Sequence, residues 1–109
     1  MATFFKTKVI KDVGVVPISA FSPQPGTNST VIGLTLANLT EFAVKASVLI
    51  KDDTSVTVNY LKDVVVPANS TLQAISKGDK LIVQSEFELL LHSDLEASID
   101  AVISYVDIV

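Results

Sequence analysis

The sequence predicts an all-β protein, built as a single antiparallel β-sandwich. The first indication is apolar–polar alternation with a period of two, which places one set of side chains in residues 43–51 on a single face: Val44, Ala46, Val48 and Ile50. Valine, isoleucine and threonine, which favour strands, dominate the apolar segments. Turn-forming segments recur about every 8–14 residues, which is the spacing typical of sandwiches and barrels.

Length and composition narrow the class of protein further. The chain has 109 residues, enough for one domain, and it is 49% hydrophobic but only 18% charged. The absence of cysteine excludes a disulfide scaffold and thiolate metal sites. A net charge of −4 argues against nucleic acid or an anionic membrane as the main partner. Since a small soluble domain usually carries about a quarter charged residues, the apolar surplus suggests surfaces buried against other proteins.

The alternation and the turn residues define the predicted elements in order. After a loop at 22–29 that contains two prolines and a glycine, we expect strands at 29–38, 43–51, 54–66, 72–75, 80–85, 87–92 and 97–109. The third of these has a break near Lys62 and Asp63, and Pro67 ends it because proline cannot donate to a ladder. Residues 93–99 are predicted to be a loop with at most one helical turn.

The last predicted strand is apolar on both of its faces. One side has Ile99, Ala101, Ile103 and Tyr105, and the other has Val102, Val106 and Ile108. A strand that is apolar on both sides should be covered on both. A second sheet covers one side. A loop, the N-terminal segment or a neighbouring subunit must cover the other.

The N-terminal residues 1–22 differ in character from the sandwich body at 23–109. They place Phe4 and Phe5 beside lysines, followed by Val9 and Ile10. We predict a first strand here, either as an N-terminal arm or as an edge strand of the same single domain. An arm of this kind could add a strand to the sheet of a neighbour.

Candidate catalytic and metal-binding groups are sparse. His92 is the only histidine, and no G-x-S-x-G nucleophile motif is present. The acidic pairs at 52–53 and at positions 94 and 96 lack the spacing of a calcium-binding loop, and Glu86 and Glu88 flank a strand residue with no cleft implied. Asp in a hairpin turn ordinarily bonds its own backbone. We therefore expect no enzyme, no cofactor and no metal.

The order of several segments resembles that of small virion structural proteins of tailed bacteriophages, closest to those of contractile-tailed cyanobacterial phages. The segments are TVIGLTLANLT at 30–40, VKASVLI at 44–50, VVVPANSTLQAI at 64–75, KGDKLIV at 77–83 and ASIDAVISYVDIV at 97–109. The resemblance covers residues 30–109 better than the N-terminal segment. It implies an immunoglobulin-like or jelly-roll-like sandwich in the capsid decoration, neck, tail or baseplate, and it transfers no catalytic residue.

The functional expectation is therefore a non-enzymatic bacteriophage virion protein that assembles in many copies, by contact with itself and with other virion proteins. We expect it to be assembled in the bacterial host cytoplasm, with no nucleic-acid or membrane partner. The residues predicted to form its interfaces are Phe4, Phe5, Val9, Ile10, Phe21, Phe42, Val102, Val106 and Ile108. The alternative is a receptor- or glycan-binding module of a phage fibre, although the chain has two tyrosines and no tryptophan for stacking on sugars.

Overall fold

A computed structural model describes residues 3–76 and 78–108, and this part of the chain consists of β-strands joined by turns and loops. The strands are β1 (Thr3–Val13), β2 (Ile18–Phe21), β3 (Asn28–Asn38), β4 (Val44–Lys51), β5 (Thr57–Val66), β6 (Thr71–Ile75), β7 (Leu81–Val83), β8 (Glu88–Ser93) and β9 (Ile99–Ile108). Over the described residues there is no helix that is long and apolar enough to cross a membrane.

The strands form two sheets in which every pair is antiparallel. Sheet A has the order β1-β9-β3-β6, and β7 also pairs with β3. Because β9 occupies one side of β3, β6 and β7 share the other side, β7 near the start of β3 and β6 near its end. Sheet B has the order β2-β8-β4-β5.

The pairing order is that of a jelly roll. Apart from β7, the strands pair first with last and inward from there: β1 with β9, β2 with β8, β3 with β6, and β4 with β5. This is a single long hairpin of eight strands that has been rolled into two facing sheets. The predicted antiparallel sandwich is confirmed, and between the two topologies that the sequence left open, the strand order is the jelly-roll one.

The core lies between the inward faces of the two sheets. The alternation predicted for β4 is confirmed, since Val44, Ala46 and Val48 are buried and Ile50 packs against the same core. The largest buried side chains from the other strands are Leu34, Leu36, Ile75, Leu89, Leu91, Ile99 and Ile103. Two facing sheets about 10 Å apart exclude water from these side chains, which is the main stabilising contribution in a fold of this kind.

Residues 3–13 form an edge strand of sheet A and not a detached arm. β1 pairs with β9 from Thr3 opposite Ile108 to Ile10 opposite Ala101, and a bulge at Asp12 precedes the last pair. Sheet B does not extend over the first half of β1, so both of its faces are exposed there. With β2 paired to β8 in sheet B, the described part of the N-terminal segment contributes to the same sandwich as the strands that follow it.

The strand expected at 54–66 starts later than predicted, and its predicted break takes the form of a bulge. The strand expected at 54–66 begins at Thr57, because Asp52 to Val56 close a turn. The break expected near Lys62 and Asp63 is a bulge within β5, with Asp63 at φ 50°. The segment between β8 and β9 is a loop, as predicted.

A buried asparagine joins the connection after β3 to the end of β5. Asn38 is buried, and its Nδ2 donates to the backbone oxygens of Phe42 and Val66 at 2.7 and 3.0 Å. Its Oδ1 accepts from the backbone N–H and the hydroxyl of Thr40 at 2.9 and 2.8 Å. A buried amide is stable only when its polar atoms are paired in this way, so Asn38 holds the two connections at one end of the sandwich in a single arrangement.

The turn between β4 and β5 is organised by one carboxylate. Asp52 Oδ1 accepts from the Thr54 hydroxyl at 2.8 Å, from the Thr54 backbone N–H at 2.9 Å and from the Val56 backbone N–H at 2.9 Å. The Thr54 hydroxyl contributes most to lowering the pKa of Asp52 below its ordinary value of 3.8, followed by the Val56 N–H. The sequence analysis expected an Asp in this hairpin turn to bond the backbone of its own turn, and Asp52 does so.

The core packing leads to a first prediction. Leu34→Ala should lower the free energy of unfolding by about 3 kcal/mol, because Leu34 is fully buried and its removal leaves a cavity between the sheets. Leu39→Ala, at a half-exposed position in the loop after β3, should cost less than about 1 kcal/mol. Urea unfolding followed by circular dichroism measures both. Equal losses for the two variants would contradict the assigned core.

The Asp52 turn leads to a prediction about pH. Because the folded-state pKa of Asp52 is lowered, its contribution to stability should be complete above about pH 4 and should disappear as the pH falls through that lowered pKa. Asp52→Ala should therefore destabilise the protein at neutral pH and make little difference at about pH 2. Asp53→Ala is the matched control, and urea titrations at both pH values provide the measurement. A penalty for Asp52→Ala that does not change with pH would refute this role.

Candidate interaction surface

The outer face of sheet A, the side turned away from sheet B, is the most unusual surface of the molecule. The strand register places apolar and small uncharged side chains in rows across it. In one row, Phe5 of β1 lies opposite Val106 of β9, which lies opposite Thr30 of β3, which lies opposite Ile82 of β7. Directly opposed residues in a sheet are about 5 Å apart, so this row is continuous across four strands.

A second row runs parallel to the first along the same face. Val9 lies opposite Val102, which lies opposite Thr35 of β3. Between the two rows, Thr7 lies opposite Ser104, and Ser104 faces a bulge of β3 that contains Ile32 and Gly33. Alternation from the buried Leu34 and Leu36 would point Ile32 inward, but the bulge shifts the phase, so that Val31 is buried and Ile32 faces outward.

The large side chains of these rows are open to solvent in the single chain. Phe5 is 78% exposed, Val9 72% and Ile82 65%, while Val102, Ile108 and Ile32 are each more than one-third exposed. Isolated exposed apolar residues are ordinary on protein surfaces, but a contiguous apolar patch marks an interaction site. The register shows that these residues are contiguous.

The two outer faces of the sandwich differ in charge. On sheet B, Lys45, Lys51, Glu88 and His92 point outward, and Lys51 lies opposite Glu88. On sheet A, the outward positions within the two rows carry no charged side chain, and the outward carboxylate closest along the strands is Asp100 at one end. Charged side chains therefore interrupt the outer face of sheet B, whereas the two rows on sheet A can be covered without desolvating a charge.

Lys6 and Lys8 lie on the other side of β1. Lys6 Nζ is 3.1 Å from Asp107 Oδ2, and the Ser29 hydroxyl donates to Asp107 Oδ1 at 2.5 Å. Asp107 is buried, so the lysine and the serine both compensate its charge. Lys6 also lies 5.8 Å from the centre of the Phe4 ring. These contacts hold the start of β1 against β9 with Phe5, Thr7 and Val9 turned outward.

The nine residues that the sequence predicted to form interfaces lie in different parts of the structure. Five of them share the outer face of sheet A: Phe5, Val9, Val102, Val106 and Ile108. Phe4 and Ile10 lie on the opposite side of β1, and Ile10 packs against the core. Phe42 is 70% exposed but lies in the loop after β3, at an end of the sandwich.

Phe21 requires a correction, since the structure places it in the core and not on a surface. It is 3% exposed, and its ring is 4.4 Å from that of Tyr105. Two further members of the outer face, Ile32 and Ile82, were missed by the sequence reasoning. Ile82 is the middle residue of the run Leu81-Ile82-Val83, in which alternation alone puts one residue outward. Ile32 is turned outward by a bulge that local sequence does not reveal.

Groups that could support catalysis are occupied or separated. His92 lies opposite Ser47 on the outer face of sheet B. The hydroxyl of its neighbour Ser93 is 2.7 Å from the Ser98 hydroxyl, and Asp94 Oδ1 accepts from the Lys45 backbone N–H at 2.9 Å. Within residues 3–76 and 78–108 the structure has no pocket, and no group of three or more potential metal ligands is found there.

Comparisons with protein-family models, with curated proteins and with solved structures produced no match to this chain. The class is therefore defined by the fold and the surface alone. It is a small jelly-roll sandwich that has one charged outer face and one apolar outer face.

The patch can be tested by removing it. The double variant Val9→Ser/Val102→Ser, which interrupts the second row, should bind a phenyl chromatography column less tightly than the unmodified chain, while the unfolding free energy changes by about 1 kcal/mol or less. Val16→Ser/Val65→Ser is the matched control, because it removes two exposed valines that lie on separate elements, the loop after β1 and strand β5. It should change retention less. An equal change in retention would show that valines on the outer face of sheet A contribute no more to apolar binding than exposed valines elsewhere.

Proposed function

We propose that this chain is a non-enzymatic structural protein of a bacteriophage virion, present in many copies and held by contact with sister copies and other virion proteins. The observation that carries the proposal is the uncharged, apolar outer face of sheet A. A surface of this kind is unfavourable on a protein that acts alone in water, and it becomes favourable when assembly covers it.

The order of segments along the chain supports the virion assignment. The resemblance to phage structural proteins depends on segments that form strands and turns of the sandwich: the VPANST phrase connects β5 to β6, and LIV at 81–83 is β7. Jelly-roll sandwiches are used repeatedly in viral particles. The place of assembly that we propose is the bacterial host cytoplasm, and the final location is the particle, as capsid decoration, neck, tail or baseplate.

The fibre-tip alternative has less support from the surface. Glycan binding ordinarily uses exposed aromatic side chains that stack on sugar rings beside polar groups. Of the two tyrosines, Tyr60 is 37% exposed on β5 and Tyr105 packs against the core, and the sequence has no tryptophan. The exposed Phe5 lies among aliphatic and small side chains, which suits contact with protein more than with sugar.

The proposal is tested on purified particles of the phage that encodes the chain. Quantitative mass spectrometry should find the chain in gradient-purified particles, in a copy number that is a multiple of the symmetry of its ring or shell. Antibody labelling in electron microscopy should then show a repeated position. Recovery of the chain from the lysate but not from particles would overturn the proposal, and binding on a glycan array would favour the fibre module.

A further inference from the structure

The outer face of sheet A has the size that a stable protein–protein contact needs. Four strands about 4.8 Å apart, over eight to ten residues at about 3.3 Å each, give a face of roughly 20 by 30 Å. That is about 600 Å² before the relief of the side chains is counted, and a standard interface buries about 800 Å² on each partner. One contact of ordinary size would therefore use the whole face.

The charge pattern favours a second copy of this chain as the occupant. In a two-fold contact, residue i of one copy meets residue j of the other and j meets i, so every charge on the surface needs an opposite charge at the position that faces it. The rows from Phe5 to Ile82 and from Val9 to Thr35 carry no charge, so this face meets its own copy without repulsion. Covering the outer face of sheet B would instead desolvate Lys45, Lys51 and Glu88.

The free edge of β1 is less suited to the contact than the face. Lys6 and Lys8 point to the inward side of this edge strand, and Asp12 forms a bulge at φ 57°. Inward-pointing lysines and bulges are the features by which natural sheets prevent edge-to-edge pairing. Contact through the face leaves both lysines exposed to water, and Lys6 stays paired with Asp107.

We propose that two copies pack the outer faces of sheet A against each other across a two-fold axis. The result is a four-layer sandwich in which Phe5, Val9, Val102 and Ile82 of both copies lie between the two middle layers. Twisted sheets pack in this way with their strands about 30° apart. The inference rests on the assembly role proposed above, because it names the contact through which assembly begins.

The test is sedimentation equilibrium of the purified full chain over a wide concentration range. The unmodified chain should be a dimer. Val9→Glu/Val102→Glu should raise the dissociation constant at least 100-fold, because each copy would then bury two carboxylates in an apolar contact. Val65→Glu is the matched control on edge strand β5, on the outer face of sheet B, and it should leave the dimer unchanged. Circular dichroism confirms that each variant is folded.

A cross-link gives a second measurement that does not depend on a charge. The chain has no cysteine, so a single introduced thiol reports one position. Ser104→Cys, midway between the two rows on β9, should be linked into a dimer by a bismaleimide that spans about 10 Å, the distance between packed sheets. Ser19→Cys, on the outer face of sheet B, should be linked much less.

Several results would overturn the two-fold contact: a chain that is monomeric at all concentrations, a dimer that survives Val9→Glu/Val102→Glu, or a trimer or larger ring. A chain that is found in particles but is monomeric in solution would leave the proposed function standing and remove this inference. A chain that forms a dimer through this face but is absent from particles would overturn the proposed function and leave this inference standing.

Discussion

The pairing of β9 with β3 and β1 is the interaction on which the rest of the structure depends. β9 is the last strand, yet it lies between a strand from the middle of the chain and the first strand, with ten residues matched to β3 from Asn28 to Asn38. This pairing closes the roll and brings the ends of the chain into one sheet. It also decides the surface, since the residues of β9 that point away from the core become the centre of the outer face of sheet A.

One local rule, alternation with a period of two, has different results in the two sheets. In sheet B the outward positions include lysine, glutamate and histidine, which water solvates, on either side of one apolar pair, Leu49 opposite Leu90. In sheet A they are valine, isoleucine, phenylalanine and threonine, which water does not solvate well. Both sheets contribute inward-facing side chains to the one core, and the outward side chains of sheet A add nothing to that core. A contact with another protein does, and for that reason we assign the apolar face to assembly.

The sequence predicted much of the fold and part of the site. The all-β class, the inward set of β4 and the two apolar sides of β9 follow from spacing alone. Phe21 shows where such reasoning stops, because a phenylalanine beside a proline-rich loop has the same local signature whether it lies on the surface or packs against Tyr105. Ile32 shows the same limit from the other direction, since only the partner strand reveals the bulge that turns it outward.

By itself, then, the sequence determined which segments are strands, which side of each strand is apolar and that more apolar surface exists than one sandwich core needs. The tertiary structure decided which strands are neighbours, which edge β1 occupies and which apolar sides join into one face. The physical reason is the separation along the chain over which each interaction acts. Alternation and turn chemistry act between residues close in the chain, whereas Phe5, Val106, Thr30 and Ile82 form a row only through pairing between strands far apart in sequence.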